Sequence, residues 1–187
     1  MSEALSPAEA TARYTLVADG FETRLFALTG QAWLVPSPCP DWTARDVAVH
    51  VFGVHNFIVG MAGGDAPAVP GADDDPTEMW PAARQAVLDL LANPELTGRM
   101  IDSPFGEMSA ATLAGTALIA DITVHTWDLA RATNQDEKLD PRLVRIALEF
   151  YEPREHLMRN GMFGAAIGAA SGADEQTRLL NYCGREV

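Results

Sequence analysis

The stretch ALIADITVHTWDLARA, residues 117–132, decides the fold class of this 187-residue chain. Its apolar residues recur every three or four positions, which is the period of a helix with one buried face. Ser109 can cap this helix, and polar residues followed by Pro141 come after its end near Asn134. The pattern therefore predicts one long helix. Its inward arc collects Ala114, Ala117, Leu118, Asp121, His125, Asp128, Leu129 and Ala132.

Further helical patterns lie on both sides of this helix, and most begin at a capping residue or a proline. Segments 36–40, 60–75 and 160–172 are rich in proline or glycine and are expected to be irregular, and residues 99–108 are expected to form a small hairpin or turn. Together these patterns predict an all-α four-helix bundle with extra short C-terminal helices, in one domain of residues 1–187. The other predicted helices run from Ser6-Pro7 to Gly30, from Thr43 to the loop at Gly60, from Pro76 to Ala92, from Pro141 to about His156 and from Asp174 to Cys183.

The composition argues against several classes of partner. Against 26 Asp and Glu stand 13 Lys and Arg, a net charge of −13 that repels phosphate backbones and anionic lipids. The N-terminus lacks the basic start and apolar run of a signal peptide, and the apolar stretches are too short to span a membrane. Cys39 and Cys183 form no CxxC pair, so neither a disulfide framework nor a thiolate zinc site is expected. We therefore expect a cytoplasmic protein that binds neither nucleic acid nor membrane.

Three side chains on two predicted helices are candidate metal ligands. His50 shares the apolar arc of its helix, and Asp121 and His125 lie one turn apart on the inward arc of theirs. A buried carboxylate needs a cation or several hydrogen bonds, and a shared metal ion would supply the cation. Imidazole and carboxylate ligands suit zinc and also nickel, iron or manganese, and three protein ligands leave one coordination position open.

The spacing leaves alternatives open. An inward Asp/His pair without a metal fits it equally well. Asp128 could accept the second ring N–H of a ligating histidine, or it could cap a helix or pair with Arg131. His55 falls off the apolar arc and is expected to be a partly exposed helix residue outside the site. The tryptophans are expected to pack in the core or at an interface: Trp33, Trp42, Trp80 and Trp127.

Two stretches resemble a known family. CPDWTARDVAVH, residues 39–50, and DITVHTWDLARA, residues 121–132, are similar to the hallmark segments of DinB-like metal-binding proteins related to mycothiol-dependent maleylpyruvate isomerase. The turn PFGE, residues 104–107, and the ending RLLNYCGR, residues 178–185, resemble the short actinobacterial branch. The resemblance implies a four-helix bundle whose metal is bound by a histidine on the second helix and by an acid and a histidine on a later one. His50, Asp121 and His125 occupy those positions.

Two departures limit what the resemblance implies. The isomerase has Glu as its acidic ligand, whereas Asp121 is one methylene shorter. The isomerase also has a C-terminal domain for which these residues leave no room, so isomerase activity itself is not assumed.

Three functions remain as hypotheses. In the first, the open metal position binds the sulfur of a small thiol such as mycothiol, which reacts with an electrophilic substrate in a transferase or isomerase reaction. Residues 161–172 cover the mouth of the site in this hypothesis. In the second, the metal activates water for hydrolysis, although no separate general base is evident. In the third, the chain binds metal without catalysis, and a homodimer is compatible with each hypothesis.

Overall fold

The computed structural model describes residues 5–159 and 164–187 and shows the predicted all-α bundle with a small hairpin. Helix α1 spans Pro7–Leu25, α2 spans Ala44–Met61 and α3 spans Pro76–Ala92. The side chains of Ser6, Thr43 and Asp75 each accept a hydrogen bond from a backbone N–H of the first turn, so all three starts are capped. No described helix is long and apolar enough to cross a membrane.

Helix α1 ends earlier than the sequence predicts. It stops at Leu25, and a 3-10 turn follows at Gly30–Leu34. Leu28 nevertheless stays buried, which explains why its apolar spacing resembled a continuing helix. Gly30 has a positive φ of 53°, a conformation that favours glycine and does not continue a helix.

The predicted hairpin is confirmed. Strands β1, Met100–Ser103, and β2, Gly106–Ser109, pair antiparallel after a short helix α4, Pro94–Thr97, that the sequence pattern did not predict. Gly106 lies at the turn with φ of 96°, so glycine is required there. The hairpin leads directly into the next helix. It contributes Ser103 and Phe105 to the wall of a cavity that also contains His50, Asp121 and His125.

The long helix predicted from Ser109 to Asn134 is in fact two helices, so that prediction is wrong in its continuity. Helix α5 spans Ala110–Gly115 and α6 spans Ala117–Ala132, and Thr116 between them has φ −132° and ψ −71°. A Cβ at position 115 would lie 2.2 Å from the side chain of Leu5 and 3.0 Å from Cβ of Ala10. The break therefore coincides with a close approach of α1, and helical periodicity in the sequence does not report such an approach.

The C-terminal helices join the bundle through the contact of α7 with α6. Helix α7 spans Pro141–Tyr151, a 3-10 turn at Glu152–Arg154 interrupts the predicted fifth helix, and α8 covers Glu155–Met158. Helix α9 spans Glu175–Tyr182 and packs on α7. Helix α6 contacts α1, α2 and α7, while α3 closes the bundle against α1 and α2. The helix that bears Asp121 and His125 is therefore the central one, and α2 with His50 is its direct neighbour.

Candidate metal centre

Helices α2 and α6 bring the three predicted ligands together. Nε2 of His50 lies 3.1 Å from Oδ1 of Asp121, and Nε2 of His125 lies 3.6 Å from the same oxygen. The two imidazole rings are 4.7 Å apart between centroids. One donor atom from each residue lies within 4.8 Å of the others, which places them around a common point.

The second oxygen of Asp121 is the observation that fits a cation. Oδ2 is buried and has no hydrogen-bond partner among the described residues, whereas Oδ1 faces both histidines. A buried carboxylate oxygen without a partner is costly, and a metal ion is a ligand that would satisfy it. Two imidazoles and one carboxylate are a donor set that zinc and related divalent metals accept. The residues present therefore fit the metal.

The charges of this group reinforce one another. Burial raises the pKa of Asp121, but the neighbouring imidazoles of His125 and His50 outweigh it and the pKa of Asp121 is lowered. Burial likewise lowers the pKa of His50, and the hydrogen bond and negative charge of Asp121 more than reverse that effect, so the pKa of His50 is raised. Asp121 is therefore ionised at neutral pH. A metal that binds here displaces protons from the histidine side of the pair.

The opposite edge of His125 is fixed by Asp128. Nδ1 of His125 lies 3.0 Å from Oδ2 of Asp128, which is fully buried. Since an ionised carboxylate only accepts, Nδ1 of His125 carries a proton, and in the neutral form of the ring the lone pair of Nε2 faces Asp121. This contact is the one expected if Asp128 accepts the second ring N–H of a ligating histidine. Arg131 does not take part in it, because its guanidinium pairs with Glu137 at 3.2 Å.

Arg185 is a site residue that the sequence analysis did not identify. Its Nη2 donates to Oδ2 of Asp128 at 2.7 Å, and its Nε donates to Oδ1 at 3.0 Å. The guanidinium thus binds both oxygens of a buried carboxylate in the bidentate geometry that arginine favours. Burial raises the pKa of Asp128, but hydrogen bonds from His125 and Arg185 lower it to about 2. The only sequence signal was the position of Arg185 in the RLLNYCGR ending, for which spacing gave no role.

Cys39 was also missed, and it belongs to a second group of potential metal donors with His125 and Asp128. Its Sγ lies 3.2 Å from Oδ2 of Asp128 and 3.0 Å from Nη2 of Arg185. The guanidinium already supplies the cation at this second group, which disfavours a metal there. Burial and the charge of Asp128 raise the pKa of the Cys39 thiol to about 12, so it stays protonated.

The predicted partial exposure of His55 is wrong. Its side chain is completely buried, with Nδ1 2.7 Å from the Val51 carbonyl oxygen and Nε2 2.9 Å from the Tyr14 hydroxyl. The face of α2 that bears His55 packs against α3, and Tyr14 of α1 reaches the ring, because a helix in a bundle has several neighbours. By contrast Phe57, which lies two turns after His50 on the same arc of α2, is 42% exposed.

A cavity of about 740 Å³ opens beside the three candidate ligands. Its size lies within the range of small-molecule sites. Trp42, expected only to pack, lines it with its ring centroid 5.1 Å from that of His50 and 6.0 Å from that of His125. Gly164 reaches the wall from the glycine- and alanine-rich segment, whose residues 161–163 lie outside the described part of the chain.

An all-α bundle with two histidines and an acid on neighbouring helices, facing a cavity, has the architecture of a DinB-like protein. The sequence profile of the mycothiol maleylpyruvate isomerase N-terminal domain matches residues 14–130, and the chain belongs to that family. This confirms the family resemblance seen in the sequence.

Two curated relatives come from Mycobacterium tuberculosis: uncharacterized protein MT0763 of strain CDC 1551 / Oshkosh and uncharacterized protein Rv0738 of strain ATCC 25618 / H37Rv. Each is 32% identical over 108 residues, which are 58% of this chain and 58% of the relative. The similarity thus spans little more than half the length of the relatives it matches. No solved structure matches the chain.

Proposed function

We propose that this chain binds one divalent metal, zinc in the first instance, through His50, Asp121 and His125, and uses it with a low-molecular-weight thiol of the mycothiol type in a transferase or isomerase reaction on a small electrophilic metabolite. The observation that carries the proposal is the unpartnered Oδ2 of Asp121 between two histidines at the wall of a cavity. The family, whose printed description names mycothiol, supports the choice of thiol.

The protein's own residues prepare the site in defined ways. Asp128 keeps the proton of His125 on Nδ1, and Arg185 keeps Asp128 ionised and in place. Trp42 and Phe105 give the open side of the site apolar walls. When bound, the divalent cation would lower the pKa of a coordinated thiol and so supply a thiolate at neutral pH.

The structure favours the thiol hypothesis over metal-assisted hydrolysis. A hydrolase of this kind needs a general base within reach of the attacking water. Among the described residues of the cavity wall, Asp121 is the only carboxylate, and it is assigned to the metal. Asp128 is fully buried and engaged by Arg185.

Metal analysis tests the first half of the proposal. Protein purified without chelator or histidine tag should contain about one equivalent of metal, and His125→Ala should lower the zinc affinity more than the roughly 10–100-fold that loss of an outer-shell partner costs. His156→Ala removes an exposed histidine and serves as the matched control. A His125→Ala protein that retains wild-type zinc affinity would exclude this site.

Isothermal titration with mycothiol tests the second half. We expect saturable binding to the zinc-loaded protein and at least tenfold weaker binding after zinc removal, because the metal is the proposed contact for sulfur. Equal heats with and without zinc, or no heat in either state, would contradict thiol use while leaving the metal site in place.

A further inference from the structure

Most polar side chains around the cavity beside the three candidate ligands form one connected cluster. His50 contacts Asp121, which faces His125, and Asp128 joins His125 to Arg185 and Cys39. Two further polar side chains belong to the described wall: Tyr151, which is buried, and Ser103, whose hydroxyl donates to the Gly106 carbonyl at 2.7 Å within the hairpin turn. Most of the remaining wall is apolar or aromatic, contributed by Pro40, Trp42, Val54, Phe57, Ile58, Pro104, Phe105, Leu113 and Ala117.

The charge of the wall is already compensated. Arg185 is the only Lys or Arg among the described lining residues. Its guanidinium donates to both oxygens of Asp128 and to the Cys183 carbonyl. The buried pair of Arg185 and Asp128 is neutral overall, because the carboxylate compensates the charge of the guanidinium. The proposed metal is then the one uncompensated positive group that an incoming ligand would meet.

A ligand with two carboxylates would therefore be poorly accommodated. One carboxylate could coordinate the metal, but the second would enter an apolar wall without a cation, and an isolated buried carboxylate is strongly disfavoured. The net charge of −13 also repels dianions before they reach the cavity. An apolar ring or chain would instead gain from the same wall, by about 0.8 kcal/mol for each buried methylene.

We propose that the cavity selects, as the electrophile that meets the metal-bound thiol, a neutral, largely apolar small molecule of the size of one or two rings or a short alkyl chain. This assignment rests on the proposed function for its metal end and names the substrate class of that site. The rim supports it, because Phe57 lines the cavity and yet is 42% exposed, an apolar contact at the entrance.

A thiol series measures the selectivity. Ethanethiol, propanethiol and butanethiol, titrated into zinc-loaded protein, should bind about fourfold more tightly for each added methylene. Benzyl mercaptan should bind more tightly than mercaptosuccinate, which has the same thiol on a dicarboxylate body. A flat series, or tighter binding of mercaptosuccinate, overturns the proposal.

A neutral fluorescent probe separates the cavity from the metal. N-phenyl-1-naphthylamine should bind both the zinc-free wild type and His125→Ala, because neither lacks the apolar wall. Phe57→Ser should weaken this binding about threefold to tenfold, the share expected for a half-buried ring. Phe26→Ser is the matched control, since Phe26 is 49% exposed and does not line the cavity.

The two measurements distinguish a failure of the proposed function from a failure of the proposed selectivity. If the naphthylamine binds but neither these thiols nor mycothiol binds the zinc-loaded protein, the thiol function is wrong and the apolar selectivity stands. If the thiols bind zinc-loaded protein without preference for apolar bodies and Phe57→Ser binds the naphthylamine as the wild type does, the selectivity is wrong and the metal function stands.

Discussion

Two histidines five residues apart on α2 occupy opposite kinds of environment. His55 is fully buried between α1 and α3, and both of its ring nitrogens have protein partners, the Val51 carbonyl and the Tyr14 hydroxyl. His50 is 33% exposed at the cavity wall and faces Asp121, whose Oδ2 has no partner among the described residues. We call His55 with Tyr14 the core pair, and His50, Asp121 and His125 the ligand cluster.

The difference separates a structural histidine from a candidate metal ligand. In the core pair the Val51 carbonyl fixes the Nδ1 proton, Tyr14 donates to Nε2, and no donor or acceptor of the ring is left over. In the ligand cluster three potential ligands converge and one oxygen is left unsatisfied beside open space. Burial alone would have selected His55, whereas the unsatisfied carboxylate oxygen belongs to the residue that His50 and His125 face.

The largest expected effect comes from Asp128→Asn, which tests the contacts of Asp128 with His125 and Arg185. Removal of the carboxylate charge leaves Arg185 buried without its anion, so we expect a loss of about 3–5 kcal/mol in the free energy of unfolding. Zinc affinity of the folded protein should also fall about 10–100-fold. Urea unfolding in chelator and zinc titration measure the two effects.

Glu137→Gln is the matched control for this variant, because the Arg131–Glu137 pair is solvent-accessible, with side chains 40% and 34% exposed. Its cost should stay below about 1 kcal/mol. Equal costs for the two substitutions would mean that Arg185 and Asp128 are not a buried pair.

The next effect is a pH dependence of stability from the core pair. Burial lowers the pKa of His55 from 6.5 to about 4, so below 6.5 the unfolded chain binds a proton that the folded protein refuses. Stability from this residue is present above pH 6.5 and is lost as the pH falls toward 4, by about 3 kcal/mol in total.

Unfolding of zinc-free protein between pH 7 and 4, compared with His55→Gln, isolates this contribution. NMR titration of the wild type gives a second measure that needs no variant, and the His55 ring should remain neutral at pH 5.5. A His55 resonance that titrates near pH 6.5 would refute the assignment to a closed core.

The smallest expected effect is the loss of stability when the core pair loses its hydrogen bond. Tyr14→Phe removes the donor to Nε2 of His55 and leaves a buried acceptor without a partner, which should cost about 1–3 kcal/mol in the free energy of unfolding. Zinc affinity should not change, since Tyr14 does not contact the ligand cluster. Tyr182→Phe, at a partly buried hydroxyl, should cost less. A fall in zinc affinity for Tyr14→Phe would mean that the two regions are coupled.

Much of this arrangement could be predicted from local pattern. The caps at Ser6 and Thr43 and the start of α3 at Pro76 were readable because capping depends on residues within one turn. The proximity of Asp121 and His125 was also predictable, since residues four apart share a helix face. The inclusion of His50 followed from the apolar arc of its helix together with the family resemblance.

The remaining features depend on contacts between distant segments. The break at Thr116 accompanies the approach of α1 to Gly115, the burial of His55 depends on α1 and α3, and Arg185 reaches Asp128 across 57 positions. The sequence by itself determined where most of the helices begin, their caps and the face on which each candidate ligand lies, because these follow from the period of the helix and from hydrogen bonds within a turn. Only the tertiary structure decided which polar atoms found partners, because that depends on which helices meet, and it is the unpartnered oxygen of Asp121 that marks the site.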